Sequence, residues 1–374
     1  MTSSPRKTLF IHGGMQKTGS TSIQVTLSET PTTPNYQFLY RENGNSGYYL
    51  RSMFDASFTG NVHEKGKGRV AGLHNFGDRI EKFLERPKSI FVISSEMIGS
   101  AFGTASLTMM RDWFARKVDE MQVVLYVREP YGYIESLFQE QLKKRSVDFV
   151  KLARMSPPYQ AWFSEVEEVF GADKVIYRHF NSAKLRNGDV VSDFIATTGL
   201  DLPESSIVRK NEGLSRRGVT VIANFNHQLA SRTHSRDLKA TRWITRLASQ
   251  LPGPKLRLSN ELLLEAASGT AGDIAWMESR LGCPLGHLNR KPAPDGLTEL
   301  RQVLDLDEET RRWAVDVLGV PAQSADIGAA MTEKLQVAAQ AEDAAILRQT
   351  RRHFAVEDPE KAERREKRAA QRGD

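Results

Sequence analysis

Short apolar runs of strand length alternate with helix-length segments through the first half of the sequence, and this alternation constrains the fold more than any other feature. Such alternation favours right-handed crossovers, which place the strands in parallel with helices over both faces of the sheet. The runs are nearly continuously apolar, which is typical of strands buried on both faces. We therefore predict a three-layer α/β fold with a central parallel sheet of about five strands. The strands are predicted at residues 8–12, 36–40, 90–94, 123–127 and 174–177.

Helical segments separate and follow these strands, and their distribution suggests the domain organisation. Residues 44–72 are Gly-rich and polar and are predicted as a loop, and strand signals fade after about residue 215. We expect an α/β core at 1–225, a mainly helical extension at 226–345 and a charged tail at 346–374 that is a frayed helix or disordered. Helices are predicted at 21–29, 76–84, 109–121, 132–144, 162–170, 219–229, 307–318 and 329–354.

The composition excludes several classes of protein. Apolar residues make up 40% of the chain, enough for a core, yet no apolar run approaches the ~18–20 residues of a membrane span. Because the start of the sequence, residues 1–7, is polar, we expect no apolar signal segment. The single cysteine, Cys283, argues against a disulfide framework and a Cys-rich zinc site, so we expect a cytoplasmic protein. A formal charge of +6 is only mildly basic, which argues against a nucleic-acid partner and favours a small anionic ligand.

A Gly/Ser/Thr-rich segment, residues 11–22 (IHGGMQKTGSTS), follows the first strand and opens a helix. This is the layout of a phosphate loop, in which backbone N–H groups at a helix N-terminus converge on an anion. Lys17 adds a positive charge, but it precedes Gly19 by two residues and so departs from the Gly-Lys-Ser/Thr of an ATPase loop. The alternative interpretation is a βα turn capped by Ser and Thr. The candidate ligands are Gln16, Lys17, Thr18, Gly19, Ser20, Thr21 and Ser22.

A second candidate anion contact follows the fourth predicted strand. Arg128 ends this strand, and Ser136 follows eight residues later in the next predicted helix. An arginine at the carboxyl edge of a parallel sheet can bind a phosphate with two hydrogen bonds, and ligands of open parallel sheets lie at this edge. The alternative for Arg128 is an ordinary ion pair at a helix start, with Glu129 or another acid.

Together, the two motifs resemble those of the sulfotransferases that use 3′-phosphoadenosine 5′-phosphosulfate (PAPS). Residues 17–22 (KTGSTS) are similar to that family's 5′-phosphosulfate loop, and Arg128 with Ser136 to its 3′-phosphate motif. The resemblance covers about residues 8–225 and implies a P-loop fold, PAPS as co-substrate and 3′-phosphoadenosine 5′-phosphate (PAP) as product. It also implies a basic segment that closes over the nucleotide. Arg209 and Lys210 are its candidates here, although the family's Arg-Lys-Gly form is not kept.

Sulfuryl transfer to a hydroxyl needs a group that takes the proton and a charge that stabilises the leaving phosphate. Lys17 is the candidate for the charge. Glu96, just past the third strand, is the candidate base, at a place where the resembled family has a histidine. His74 and His63, in or near the polar segment, are further candidates, whereas His12 is expected to be a packed strand residue. No His/acid cluster has metal-ligand spacing, so we predict no catalytic metal.

The leading hypothesis is thus a sulfotransferase that moves the sulfuryl group of PAPS to a hydroxyl or, less favourably, an amine. We expect the acceptor to be a small molecule or a glycan, with a slight preference for carbohydrate. Two other classes stay open, a P-loop kinase or NTPase and a non-catalytic protein that binds an anion or nucleic acid. The sequence leaves self-association and the role of the C-terminal helices open.

Overall fold

Five strands form one parallel sheet in the order β2-β3-β1-β4-β5, which confirms the predicted α/β fold. The structure, a computed structural model, describes residues 5–40, 44–58, 69–209, 213–230, 238–286, 288, 293 and 295–355, with the backbone alone at 69–75 and 238. The strands are β1 (Thr8–Gly14), β2 (Tyr36–Leu39), β3 (Ile90–Ser94), β4 (Glu120–Val127) and β5 (Val175–His179).

Helices follow every strand. Those predicted at 21–29, 132–144, 162–170, 219–229 and 307–318 lie within a few residues of observed helices, whereas those observed at Val190–Thr198, Leu238–Ala248, Asn260–Ala267 and Ala271–Leu281 were not predicted. In chain order the observed helices are α1 (Ser20–Glu29), α2 (Gly47–Phe54), α3 (Arg69–Leu84), α4 (Thr104–Ala115), α5 (Pro130–Leu142), α6 (Tyr159–Phe170), α7 (Val190–Thr198), α8 (Arg216–Ala230), α9 (Leu238–Ala248), α10 (Asn260–Ala267), α11 (Ala271–Leu281), α12 (Glu308–Leu318), α13 (Ile327–Gln340) and α14 (Ala344–Ala355). Short 3₁₀ helices lie at Val147–Phe149, Leu152–Arg154, Ala172–Lys174, Arg186–Gly188, Glu204–Ser206 and Leu300–Leu304.

Side chains alternate along the central strand β1, so both faces of the sheet are buried. Phe10 packs into a cluster with Ile23 of α1 and Phe194 of α7, whereas Leu9 and Ile11 point to the opposite face and are fully buried there. On that opposite face, α6 contacts β4 and β5 and packs against α4. A sheet covered on both sides leaves its strand ends as the accessible edge, which is where the predicted ligand residues lie.

Two compact units divide the chain, and they do not follow chain order. The first comprises residues 1–133, 157–211 and 269–287 and contains the sheet, and the second comprises 134–156, 212–268 and 288–374. The predicted boundary at residue 225 lies inside α8, and the one at 345 lies inside α14. In the second unit, α13 packs on α8, α9 and α12, and the indole N–H of buried Trp313 donates to Thr350 Oγ1 at 3.1 Å.

Three local predictions were wrong. The polar segment 44–72 is not a continuous loop, because α2 and the start of α3 lie within it. The helix predicted to run to residue 121 ends at Ala115, since β4 already begins at Glu120. The single helix predicted over 329–354 is two helices, separated at Glu342, whose φ of 49° is left-handed and incompatible with helix continuation. None of the helices described here is long and apolar enough to cross a membrane.

Candidate functional site

The loop after β1 leaves the sheet pressed against β4. Gly14 has a φ of 111°, and a Cβ at this position would lie 2.6 Å from the backbone N and O of Tyr126. The next amide, Met15 N, donates to Tyr126 O at 3.0 Å. A glycine is therefore required here on two counts, backbone conformation and space. Gly14 therefore fixes the direction in which the backbone of the loop leaves β1.

Two further residues of the loop adopt left-handed backbone conformations. Gly19 has a φ of 79°, which suits glycine, but Lys17 has a φ of 65°, which an L side chain rarely adopts. Thr18, between them, is fully buried, and its hydroxyl donates to Met15 O at 2.6 Å. Strained non-glycine conformations tend to persist where function requires them. The strained residue here is the loop's only cation, Lys17, which is partly exposed.

The N-terminus of α1 is arranged to receive an anion. Gly19 is the N-cap, no side chain caps it within the described chain, and the first turn carries no acidic residue. The first amides of a helix lack intrahelical acceptors, and the helix dipole favours negative charge at this end. Among the predicted ligands, Ser20 and Ser22 are buried, Thr21 is partly exposed and Gln16 is exposed. Because the Thr18 hydroxyl is engaged by the loop itself, only the backbone of that residue can face a ligand.

Arg128 joins the second motif to this loop. Its Nη1 donates to the carbonyl oxygen of Lys17 at 3.1 Å, and its amide lies 3.3 Å from the sulfur of Met15. The Tyr159 hydroxyl donates to the Arg128 carbonyl at 2.7 Å, which fixes the end of β4. The structure thus brings Arg128 of the second predicted motif to the loop, although it lies 111 residues from Lys17 in sequence. Glu129, the predicted alternative ion-pair partner, accepts from Gly132 N at 2.8 Å and so begins α5.

Phe180 and Val190 form a wall of the site. The Phe180 amide donates to Val127 O at 2.7 Å, and its ring centroid is 5.8 Å from the Arg128 guanidinium carbon. A Cβ on Gly19 would lie 2.7 Å from Val190 Cγ1 and 3.3 Å from Phe180 Cε2. These side chains exclude any larger residue at position 19. Val190 was not a predicted site residue, since nothing local in the sequence places the start of α7 beside the loop.

Glu96 lies in the turn that follows β3, on the other side of β1 from Arg128. The turn is tied to β1, because Ser95 N donates to His12 O at 2.8 Å. It packs so closely that a Cβ on Gly13 would lie 2.8 Å from Ile98 Cβ. Glu96 is partly exposed, at the same carboxyl edge of the sheet as the loop. The Glu96 carboxylate is therefore accessible from the edge of the sheet where the loop lies.

A buried polar chain lies beneath the loop. His12 Nδ1 is 2.8 Å from Ser94 Oγ, and Gln24 Nε2 of α1 donates to the same oxygen at 3.0 Å. Complete burial lowers the pKa of His12 to about 3, so the ring is neutral at physiological pH. The ring packs edge-on against Phe194 at 5.0 Å between centroids. His12 is therefore a packed strand residue, as predicted, and it links β1, β3 and α1.

Of the remaining predicted site residues, some lie in the part of the chain that the structure describes and others do not. Arg209 is exposed, and its Nε donates to Asp189 Oδ2 at 3.0 Å, next to Val190 of the loop wall. Ser136 lies in the part of α5 that belongs to the second unit. His74 lies in α3, at a position where only the backbone is described, and Lys210 and His63 lie outside the described residues.

Comparisons with known proteins add nothing to this geometry. A comparison with models of known protein families finds no match, and a comparison with curated proteins finds no similar sequence. Within the described part of the chain, no group of three or more His, Cys, Asp or Glu side chains is placed to hold a metal ion.

Proposed function

We propose that this protein is a PAPS-dependent sulfotransferase. One observation carries the proposal: the Arg128 guanidinium donates to the Lys17 carbonyl inside the loop, at 3.1 Å, where β1 and β4 end side by side. Two anion-binding elements at one edge of a parallel sheet suit a ligand with two separated phosphate groups. PAPS carries such groups at its 5′ and 3′ positions, which favours it over a ligand with a single phosphate.

The residues present fit each end of such a nucleotide. The uncapped N-terminus of α1 and the Lys17 ammonium would hold the 5′-phosphosulfate. The Arg128 guanidinium would hold the 3′-phosphate, with Phe180 fixing its orientation at 5.8 Å. Arg209, which pairs with Asp189 next to Val190 of the loop wall, is a further candidate contact to the nucleotide.

PAPS would supply an activated sulfuryl group, and the protein would supply position and charge. Glu96 would accept the proton of the acceptor hydroxyl, since it is a carboxylate near the ligand edge of the sheet. Lys17 would stabilise the charge that develops on the leaving phosphate, and the fixed α1 amides would do so at no cost in reorganisation. Lys17 holds a left-handed φ of 65°, and such strained conformations tend to persist where function requires them.

The acceptor is proposed to be a hydroxyl compound, with carbohydrate preferred over amines. Glu96 in place of a histidine is the feature that carries this preference, and it rests on analogy. The sequence of the phosphate loop argues against the kinase alternative. In its loop, Lys17 lies two residues before Gly19 rather than directly after a glycine.

The nucleotide site is tested by calorimetric titration with PAP in EDTA, with ATP plus magnesium as the parallel ligand. We expect PAP to bind without metal and Arg128→Ala to weaken binding by about 30-fold or more, as for a lost charge-assisted contact. Arg111→Ala is the matched control, since Arg111 bonds Asp112 and Val169 O, away from the loop. Magnesium-dependent binding of ATP without binding of PAP would refute the proposal in favour of a kinase.

Catalysis is tested with sulfur-labelled PAPS and a panel of hydroxyl acceptors that includes sugars. Glu96→Gln should keep PAP affinity within about twofold and lose transfer by about 100-fold or more, the contribution typical of a general base. Glu168→Gln, an exposed glutamate of α6, should behave as wild type. Unchanged transfer by Glu96→Gln would remove the role given to Glu96 and redirect attention to His74.

A further inference from the structure

A surface segment of the second unit, residues 143–154, carries a concentration of positive charge. It contains five Lys and Arg residues and a single acid, Asp148, in a chain whose formal charge is only +6. The five cations are Lys143, Lys144, Arg145, Lys151 and Arg154. All of them except the partly buried Lys143 are exposed. The segment therefore presents a positive surface to the solvent.

Three of these cations have no acidic partner among the residues that the structure describes. They are Arg145, Lys151 and Arg154. The other two, Lys143 and Lys144, pair with Glu140 at 3.1 Å and 3.3 Å. The carboxylate of Asp148 lies 3.2 Å from the Arg301 guanidinium, so the one acid of the segment is already paired. The segment thus keeps a positive charge that an anionic partner can neutralise.

Two apolar side chains protrude beside these cations. Phe149 lies in the middle of the segment and is 63% exposed, and Leu264 of α10 is 50% exposed. Helix α10 packs against the 3₁₀ helix Leu152–Arg154, which brings Leu264 to the same part of the second unit as the segment. Exposed apolar side chains that occur singly are ordinary. Here an aromatic and an aliphatic side chain share one surface with unpaired positive charge.

The backbone of segment 143–154 is anchored on both sides of Phe149. The Ser146 hydroxyl lies 3.0 Å from His227 Nδ1 of α8, and the Ser156 hydroxyl donates to Ala266 O of α10 at 2.7 Å. Apolar side chains between these anchors are buried, namely Val147, Val150, Leu152 and Met155. Because its neighbours point into the core, the outward direction of Phe149 is set by the fold.

We propose that segment 143–154, together with Leu264, is a docking surface for anionic phospholipid membranes. Arg145, Lys151 and Arg154 bind lipid phosphates, and Phe149 and Leu264 enter the boundary between headgroups and acyl chains. A leucine offers no face on which a base can stack, so the pair of apolar side chains favours a membrane over a nucleic acid. The surface lies within the second unit, and the proposal does not rest on the proposed function.

Vesicle sedimentation tests the proposal on the full wild-type chain. At physiological salt, vesicles of phosphatidylcholine and phosphatidylserine in equal amounts should bind at least about tenfold tighter than phosphatidylcholine alone, since each Lys or Arg at an anionic surface adds about fivefold. High salt should weaken this binding, because it screens the charges. Equal binding to the two kinds of vesicle, or binding to neither, overturns the proposal, and this comparison needs no variant.

Substitutions test whether segment 143–154 is the surface that binds. Joint replacement by Arg145→Gln, Lys151→Gln and Arg154→Gln should weaken binding to anionic vesicles by about 100-fold. The matched control removes the same charge elsewhere in the second unit, through Arg242→Gln, Arg246→Gln and Arg348→Gln. All six side chains are exposed, so urea unfolding should show unchanged stability in both variants. Equal losses of binding in the two variants overturn the assignment to this segment.

Phe149→Trp reports whether the ring enters the membrane. Lipids brominated in their acyl chains should quench its fluorescence beyond the quenching of the five native tryptophans, which the wild type measures. Phe149→Ser should weaken binding by about tenfold, as for an apolar side chain that loses its burial. No additional quenching overturns the insertion of Phe149. Binding to labelled DNA that the triple substitution abolishes, without binding to vesicles, refutes the membrane in favour of a nucleic acid.

Discussion

The buried histidine beneath the loop makes the folded protein sensitive to acid. The folded state lowers the pKa of His12 from 6.5 to about 3, so below pH 6.5 the unfolded chain binds a proton that the folded chain excludes. Stability is therefore complete above pH 6.5 and is lost as pH falls towards 3. Each pH unit in this window costs about 1.4 kcal/mol, which amounts to about 2 kcal/mol between pH 7.5 and pH 5.

His12→Asn isolates this contribution, because asparagine can still bond Ser94 Oγ but does not titrate. The variant should lose about 1–3 kcal/mol at pH 7.5 through the space it leaves, yet its stability should fall about 2 kcal/mol less than wild type between pH 7.5 and pH 5. Urea unfolding between pH 5 and pH 7.5 measures both the loss of stability and its change with pH. His227→Asn is the control, since His227 is a partly exposed histidine. Parallel pH profiles for wild type and His12→Asn would refute the reasoning, as would an imidazole NMR titration of His12 near pH 6.5.

Three further predictions separate stability from binding. Lys17→Gly should raise the free energy of unfolding by up to about 1 kcal/mol, since glycine adopts a φ of 65° without strain, and it should lower PAP affinity by about 10-fold or more. Urea unfolding measures the first effect and calorimetry the second. Equal PAP affinity would contradict the role given to the Lys17 charge. Gly132→Ala should lower both stability and PAP affinity, because the new Cβ would lie 2.1 Å from Glu129 Oε1 and 3.1 Å from Arg128 Nε; a gain of about 1 kcal/mol, as for an ordinary helix position, would contradict it. Trp313→Phe should cost about 1–3 kcal/mol through the lost bond to Thr350 and leave PAP affinity unchanged; altered affinity in calorimetry would count against this separation.

The strands of the core could be predicted because their apolar runs are short, continuous and bounded by polar turns. The break between α13 and α14 could not, since the apolar spacing continues through it. The break depends on Glu342 in a left-handed conformation and on Asp343, whose carboxylate accepts from Ala345 N at 2.7 Å and begins α14. Helix α2 was missed because glycine and polar residues dominate its surroundings, while the burial of Tyr49 and Leu50 depends on tertiary packing.

The site could be predicted as far as its chemistry is local in sequence. The loop and Arg128 each follow an apolar strand, so parallel pairing alone brings them to one edge. Gly132 and Val190 could not be found in this way, because their importance lies in the space they leave or fill beside Arg128 and Gly19.

In the proposed complex, the α1 N-terminus and Arg128 hold the two phosphates of one nucleotide. A crystal structure of the protein with PAP would show whether they do. We expect the 5′-phosphate within hydrogen-bonding distance of the backbone amides at residues 19–21, and the 3′-phosphate within hydrogen-bonding distance of the Arg128 guanidinium. A nucleotide bound elsewhere, or one whose 3′-phosphate does not touch Arg128, would contradict it.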